Sequence, residues 1–142
     1  MLTTFALITA GLFTGAAAYV NAVEQPARLK LDAGPLLTEW KTAYQRGTVM
    51  QGGLALVGAV LGVAAYFLEG REPLALVGSA LMLANWPWSM LVVLPTNKRL
   101  MAVAPEQAGE AERGLIGRWA GLHAARTMLG ALATTVFATL LV

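Results

Sequence analysis

The chain has 142 residues, of which 57% are hydrophobic and 13% charged, with a formal net charge of +2 and no cysteine. An average soluble domain carries about 25% charged residues, and 10 basic plus 8 acidic side chains cannot cover the surface of so small a domain. A mean hydropathy of +0.62 likewise excludes disorder, so the composition points to an integral membrane protein. Without cysteine there are no disulfides, thiolate metal sites or cysteine nucleophiles, and a single histidine, His123, excludes any site built on several imidazoles.

Crossing about 30 Å of hydrocarbon takes about 20 mostly apolar residues. Residues 2–23 are uncharged and predict the first span. Ala16, Ala17 and Ala18 resemble a cleavage site, but no Lys or Arg precedes the apolar run, which favours a retained helix over a signal peptide. In the loop 24–48, Pro35 can open a short helix whose Leu36, Leu37, Trp40 and Tyr44 share one face. That pattern predicts an amphipathic segment lying at headgroup level. Residues 49–68 and 74–94 form the second and third spans, the third interrupted by Pro87. In the loop 95–119, Pro95 and Asn97 read as helix-stop residues, and Glu106, Glu110 and Glu112 suit a helix N-terminus. A last helix is therefore expected from about residue 106 to the C-terminus, with its span at 120–142. Its uncharged part, 127–142, reaches only about 24 Å at 1.5 Å per residue, which draws Arg126 and His123 into the apolar boundary.

Loop charge orients these spans. Arg28, Lys30, Lys41 and Arg46 lie in the first long loop, and Lys98, Arg99, Arg113 and Arg118 lie in the second, with Arg126 just inside the last helix. The connection between spans two and three carries only Arg71. The positive-inside rule makes both long loops cytoplasmic. The expected fold is all-α: one transmembrane domain, residues 1–142, a four-helix bundle in the plasma (inner) membrane with both termini on the non-cytoplasmic side. Gly11 and Gly15, Gly58 and Gly62, and the strip Gly114, Gly117, Gly121 supply small-residue faces for close packing within the bundle or, less favoured, for an oligomer.

The polar residues at the membrane boundary carry the functional signal. Trp119, His123 and Arg126 follow at i, i+4 and i+7 and share one helix face. A charge in the apolar region is costly and usually pairs or works, although snorkelling to the headgroups accounts equally for Arg126. Glu24, at the end of the first helix, is the expected counter-charge for Arg126 or His123 if helices one and four are neighbours; otherwise it is a solvated interfacial carboxylate. Asn97, ending the third span, offers one acceptor and two donors, and Asn85 reads as a tie between helices. No phosphate cradle, zinc-protease motif, nucleophile elbow or basic nucleic-acid stripe is present.

Glu24-x-Pro26-x-Arg28, Trp40 with Tyr44, Pro95-x-Asn97-x-x-Leu100 and Trp119-x-x-x-His123-x-x-Arg126, in that order, resemble the family of small four-helix membrane proteins named for the anthrone oxygenases. The likeness runs from residue 2 to about 132. It implies a membrane-embedded, O2-using activity that oxidises an anthrone to an anthraquinone without an obvious cofactor. Under that resemblance His123 is the expected base, with a reference pKa near 6.5 suited to proton transfer, and Glu24 orients or replaces it. Arg126, Arg28 and Asn97 would stabilise the substrate oxyanion, while Trp119, Trp40 and Tyr44 would wall a small apolar aromatic ligand. No metal and no cofactor are expected, with heme ligation through His123 left open on one imidazole. The other readings are a non-catalytic scaffold or accessory subunit, and a small-molecule carrier. The bilayer is the expected partner; nucleic acid is not.

Overall fold

The computed structural model describes residues 1–142 and is all-helical. Four helices form it: α1 (Leu2–Arg28), α2 (Ala33–Leu68), α3 (Pro73–Ala102) and α4 (Glu110–Thr139). A short 3-10 turn, Pro105–Gln107, lies between α3 and α4. The first three helices are long and apolar enough to cross a membrane. Helix α1 packs on α2 and α4, and α3 packs on the same two, so α1 and α3 occupy opposite corners.

Every helix is longer than the apolar run that announced it. Helix α2 has 36 residues, about 54 Å at 1.5 Å per residue, well beyond the hydrocarbon thickness. Its first half is the segment expected to lie flat at the headgroups, and the structure instead continues it coaxially into the second span. The reason is packing. Leu36, Leu37 and Trp40 are fully buried against Val93, Leu100, Ile116 and Trp119 of α3 and α4, so their apolar face meets protein rather than lipid.

Pro26 and Pro95 do not stop their helices. Each follows a π-helical turn, Val20–Glu24 in α1 and Ser89–Val93 in α3. Proline lacks the N–H that would reach four residues back and its ring crowds that carbonyl; a wider turn relieves both and lets the helix continue. Pro87 lies inside α3 without ending it.

Two cores stack along the bundle. One joins Leu36, Leu37, Trp40, Val93, Leu100, Ile116 and Trp119. The other is built from small residues around two aromatics: Phe13 and Phe137 pack among Ala6, Ala10, Ala55, Ala59 and Ala133. Glycine is required there. A Cβ on Gly62 or Gly78 would run into the Phe137 ring, and one on Gly130 into Phe13. Gly58 and Gly62 thus serve packing within the chain, while Gly11, Gly15, Gly114, Gly117 and Gly121 have nothing within 4 Å of such a Cβ. Large apolar side chains such as Leu12, Val60, Leu91 and Leu132 stay exposed on the outer faces, as a bilayer solvent requires.

Polar side chains close the ends. Glu69 accepts hydrogen bonds from the Leu2 and Thr3 amides (2.6 and 3.0 Å), satisfying donors that the start of α1 leaves open. At the other end, Lys41 donates to the Met101 and Val103 carbonyls, Arg113 donates to those of Leu29 and Leu31, and Glu112 accepts from the Gly109 amide. The basic residues that carry the topological signal also satisfy carbonyls near the ends of α1 and α3.

Candidate functional site

The π turn of α1 contains Asn21, an amide in an otherwise apolar run. Its Nδ2 donates to the Ala120 carbonyl at 2.8 Å, and its Oδ1 lies 2.7 Å from His123 Nδ1 and 3.1 Å from the donating Thr127 hydroxyl. His123 is 2% exposed and stacks on Trp119, with ring centroids 4.7 Å apart. Trp119 Nε1 donates to Asn97 Oδ1 at 2.9 Å, and the Trp40 ring meets Trp119 edge-on while stacking on Tyr44. One aromatic stack thus runs from α2 into α4, braced by an asparagine from each corner helix.

Beside this stack a cleft of about 380 Å³ opens between α2 and α3. Gly47, Gly52 and Gly53 leave the α2 wall bare, Tyr44, Trp86 and Trp119 supply aromatic surface, and Asn85, Asn97 and Arg126 bring the polar groups. Such a mostly apolar cavity with a few convergent polar groups is the usual form of a small-molecule site. Val49 and Met90 on its rim are exposed, so it communicates with the apolar outer face. Trp86 Nε1 donates to the Gly52 carbonyl across the gap at 3.3 Å.

Arg126 stands out electrostatically. It makes no ion pair, its Nε is buried without a hydrogen-bond partner, and its guanidinium lies 5.7 Å from the Phe13 ring centroid. Asn85, 1% exposed, donates Nδ2 to the Leu81 and Met82 carbonyls of its own helix, and its Oδ1 has no partner. It caps no neighbouring helix, contrary to its reading as a tie.

The residues singled out in the sequence divide into three groups. Tyr44, Asn97, Trp119 and Arg126 line the cleft. His123 and Trp40 stand behind that wall, stacked on Trp119 and Tyr44. Glu24 and Arg28 lie apart from it. Helices α1 and α4 are neighbours as expected, yet Glu24 accepts from Arg28 one turn on rather than facing Arg126 or His123. Arg28 also lies 2.9 Å from Glu39 of α2, an ion pair without an aligned hydrogen bond. The π turn explains this: Arg28 remains helical and 3% exposed, turned toward α2. Sequence reasoning passed over Asn21 and Gln25; Gln25 Nε2 donates to the Ile116 carbonyl. Their only signal is an amide beside an otherwise apolar stretch.

Residues 40–136 match the anthrone oxygenase family. An anthrone oxygenase of Claviceps purpurea (strain 20.1) is 31% identical over 136 residues, spanning 86% of this chain and 78% of that protein. No solved structure matches the chain.

Proposed function

The chain belongs to the anthrone oxygenase family, and from that premise we propose that it is a membrane-embedded, O2-using oxygenase acting on a small, flat, anthrone-like aromatic. The observation that carries the proposal is Arg126: an unpaired guanidinium on the wall of an aromatic-lined cleft. An uncompensated charge in an apolar site is expensive, and a ligand oxyanion would supply the missing partner. The cleft's aromatic lining suits a flat ring system, and its exposed apolar rim suits a ligand dissolved in the bilayer.

The chemistry follows from that pairing. Removing a proton from the carbon opposite the carbonyl leaves an aromatic enolate, whose negative oxygen lies against Arg126 with Asn97 beside it. The electron-rich ring then reduces O2, one oxygen atom is retained as the new carbonyl and the other leaves as water. His123, stacked on Trp119 behind the cleft wall, takes the proton through one intervening water. No bound cofactor participates. In the membrane, the proposed orientation places the Arg28 end of the bundle in the cytoplasm and the membrane is the plasma (inner) membrane.

Oxygen uptake by the detergent-purified protein with an anthrone tests this reading, together with an optical spectrum. A colourless protein that consumes O2 and forms the anthraquinone supports it. A Soret band would overturn the cofactor-independent route, and a colourless protein inert toward the anthrone would favour a non-catalytic membrane subunit.

A further inference from the structure

The hydrogen bonds around Asn21 fix a proton. The Ala120 carbonyl can only accept, so the amide nitrogen of Asn21 faces it and Oδ1 faces His123 and Thr127. Thr127 donates its hydroxyl hydrogen to that oxygen. An amide oxygen has no hydrogen to give, so the 2.7 Å contact with His123 Nδ1 is a hydrogen bond only when Nδ1 carries the proton. No carboxylate pairs with the ring, and a buried imidazole without a counter-ion is best accommodated neutral. In a neutral ring protonated at Nδ1, the lone pair is on Nε2.

From this geometry we infer that Asn21 is a positioning residue, holding His123 as the neutral Nδ1–H tautomer so that Nε2 is the proton-accepting atom. The inference rests on the proposed role of His123 in proton transfer. The π turn Val20–Glu24 is its structural means: one extra residue in the turn re-aims the side chains around it, a device that recurs at functional sites. The ring is braced on a second side. Trp119 stacks on it with planes 28° apart, and Trp119 is itself held by Asn97, four residues beyond the π turn of α3. Two asparagines from opposite corners of the bundle therefore lock one Trp–His pair in orientation, and one of them also selects its tautomer.

The test is nitrogen NMR of the full chain in lipid nanodiscs with isotope-labelled histidine. His123 is the single histidine, so its two ring signals need no assignment among residues. The expected spectrum at neutral pH has a proton on Nδ1 and a lone-pair signal for Nε2. Asn21→Leu removes the acceptor and moves the ring toward the Nε2–H form, whereas Thr127→Val leaves Asn21 in place and keeps the wild-type signature. A wild-type ring protonated on Nε2, or on both nitrogens, overturns the inference without any variant having to fold. An unchanged signature in folded Asn21→Leu does the same. Where the protein oxidises an anthrone, Asn21→Leu lowers kcat by about 100-fold or more with KM little changed, the scale of a general base; an unaltered kcat overturns the positioning role. An Nδ1–H ring in a protein inert toward the anthrone upholds the tautomer assignment and overturns the proposed function instead.

Discussion

Arg126 and Glu24 show how little an ionisable residue's position in the sequence says about its partner. Both lie at the same membrane boundary with opposite charge, on helices that are neighbours, yet Glu24 is taken by Arg28 and Arg126 is left unpaired. The i,i+4 relation puts Glu24 and Arg28 on one helix face at no cost in chain entropy, whereas a pair across helices depends on how each is rotated. The unpaired state makes a prediction. Arg126→Leu removes a charge that no carboxylate in the chain pairs with, so the fold keeps its melting temperature or gains a few degrees. If the guanidinium meets an oxyanion, the same change costs about 100- to 1000-fold in kcat, the scale of one lost oxyanion donor. Measuring both separates the roles, because a purely structural arginine would lose stability and leave turnover intact.

At the level of elements, the amphipathic pattern of Leu36, Leu37 and Trp40 was legible as a helix with one apolar face, but not as part of α2. Periodicity reports that a face seeks an apolar neighbour, and lipid and protein satisfy it equally. Proline is ambiguous in the same way. Pro95 reads as a stop because a regular α-helix cannot absorb it, and the π turns that absorb Pro26 and Pro95 leave no local mark in composition. The helix wall of the cleft gives an element-scale test. Gly47 lines it, and a Cβ there would meet nothing within 4 Å, so Gly47→Leu fits without moving the backbone. It should leave the fold intact, gaining up to about 1 kcal/mol from helix propensity, while lowering anthrone turnover at least about tenfold by filling the cavity. Undiminished turnover in a folded Gly47→Leu protein would place the substrate elsewhere.

Across the whole molecule, the closed ends hold four long helices in one register. Glu69 ties the start of α1 to the α2–α3 connection, where Gly70 and Arg71 adopt positive φ. The Met1 ammonium, and after it the amides of Thr3 and Leu2, hold the Glu69 carboxyl down to about 2. A carboxylate with a lowered folded pKa contributes above its unfolded value, about 4.3, and that contribution fades as pH falls through 2. The protection of the Leu2 and Thr3 amides, taken relative to their intrinsic exchange rates at each pH, should therefore be high above this window and fall within it, and Glu69→Gln should remove the step. A protection factor unchanged across that window in the wild-type protein would mean that the carboxylate does not hold this end.

The sequence by itself determined the solvent, the helical class and the number of helices, because those depend on totals and runs: too few charges to face water, and apolar stretches of bilayer length. It also carried Trp119, His123 and Arg126 to one face, since α-helical spacing is a property of the chain alone. Only the tertiary structure decided which face that was. It brought Asn21 to His123 and Asn97 to Trp119 through two π turns, turned Arg28 to Glu39, and opened the cleft where the glycines of α2 stand opposite Asn85 and Trp86. Each of these contacts depends on the relative rotation and depth of separate helices. Those are fixed by the close seating of Phe13 on Gly130 and Phe137 on Gly62 and Gly78, contacts made between residues far apart along the chain.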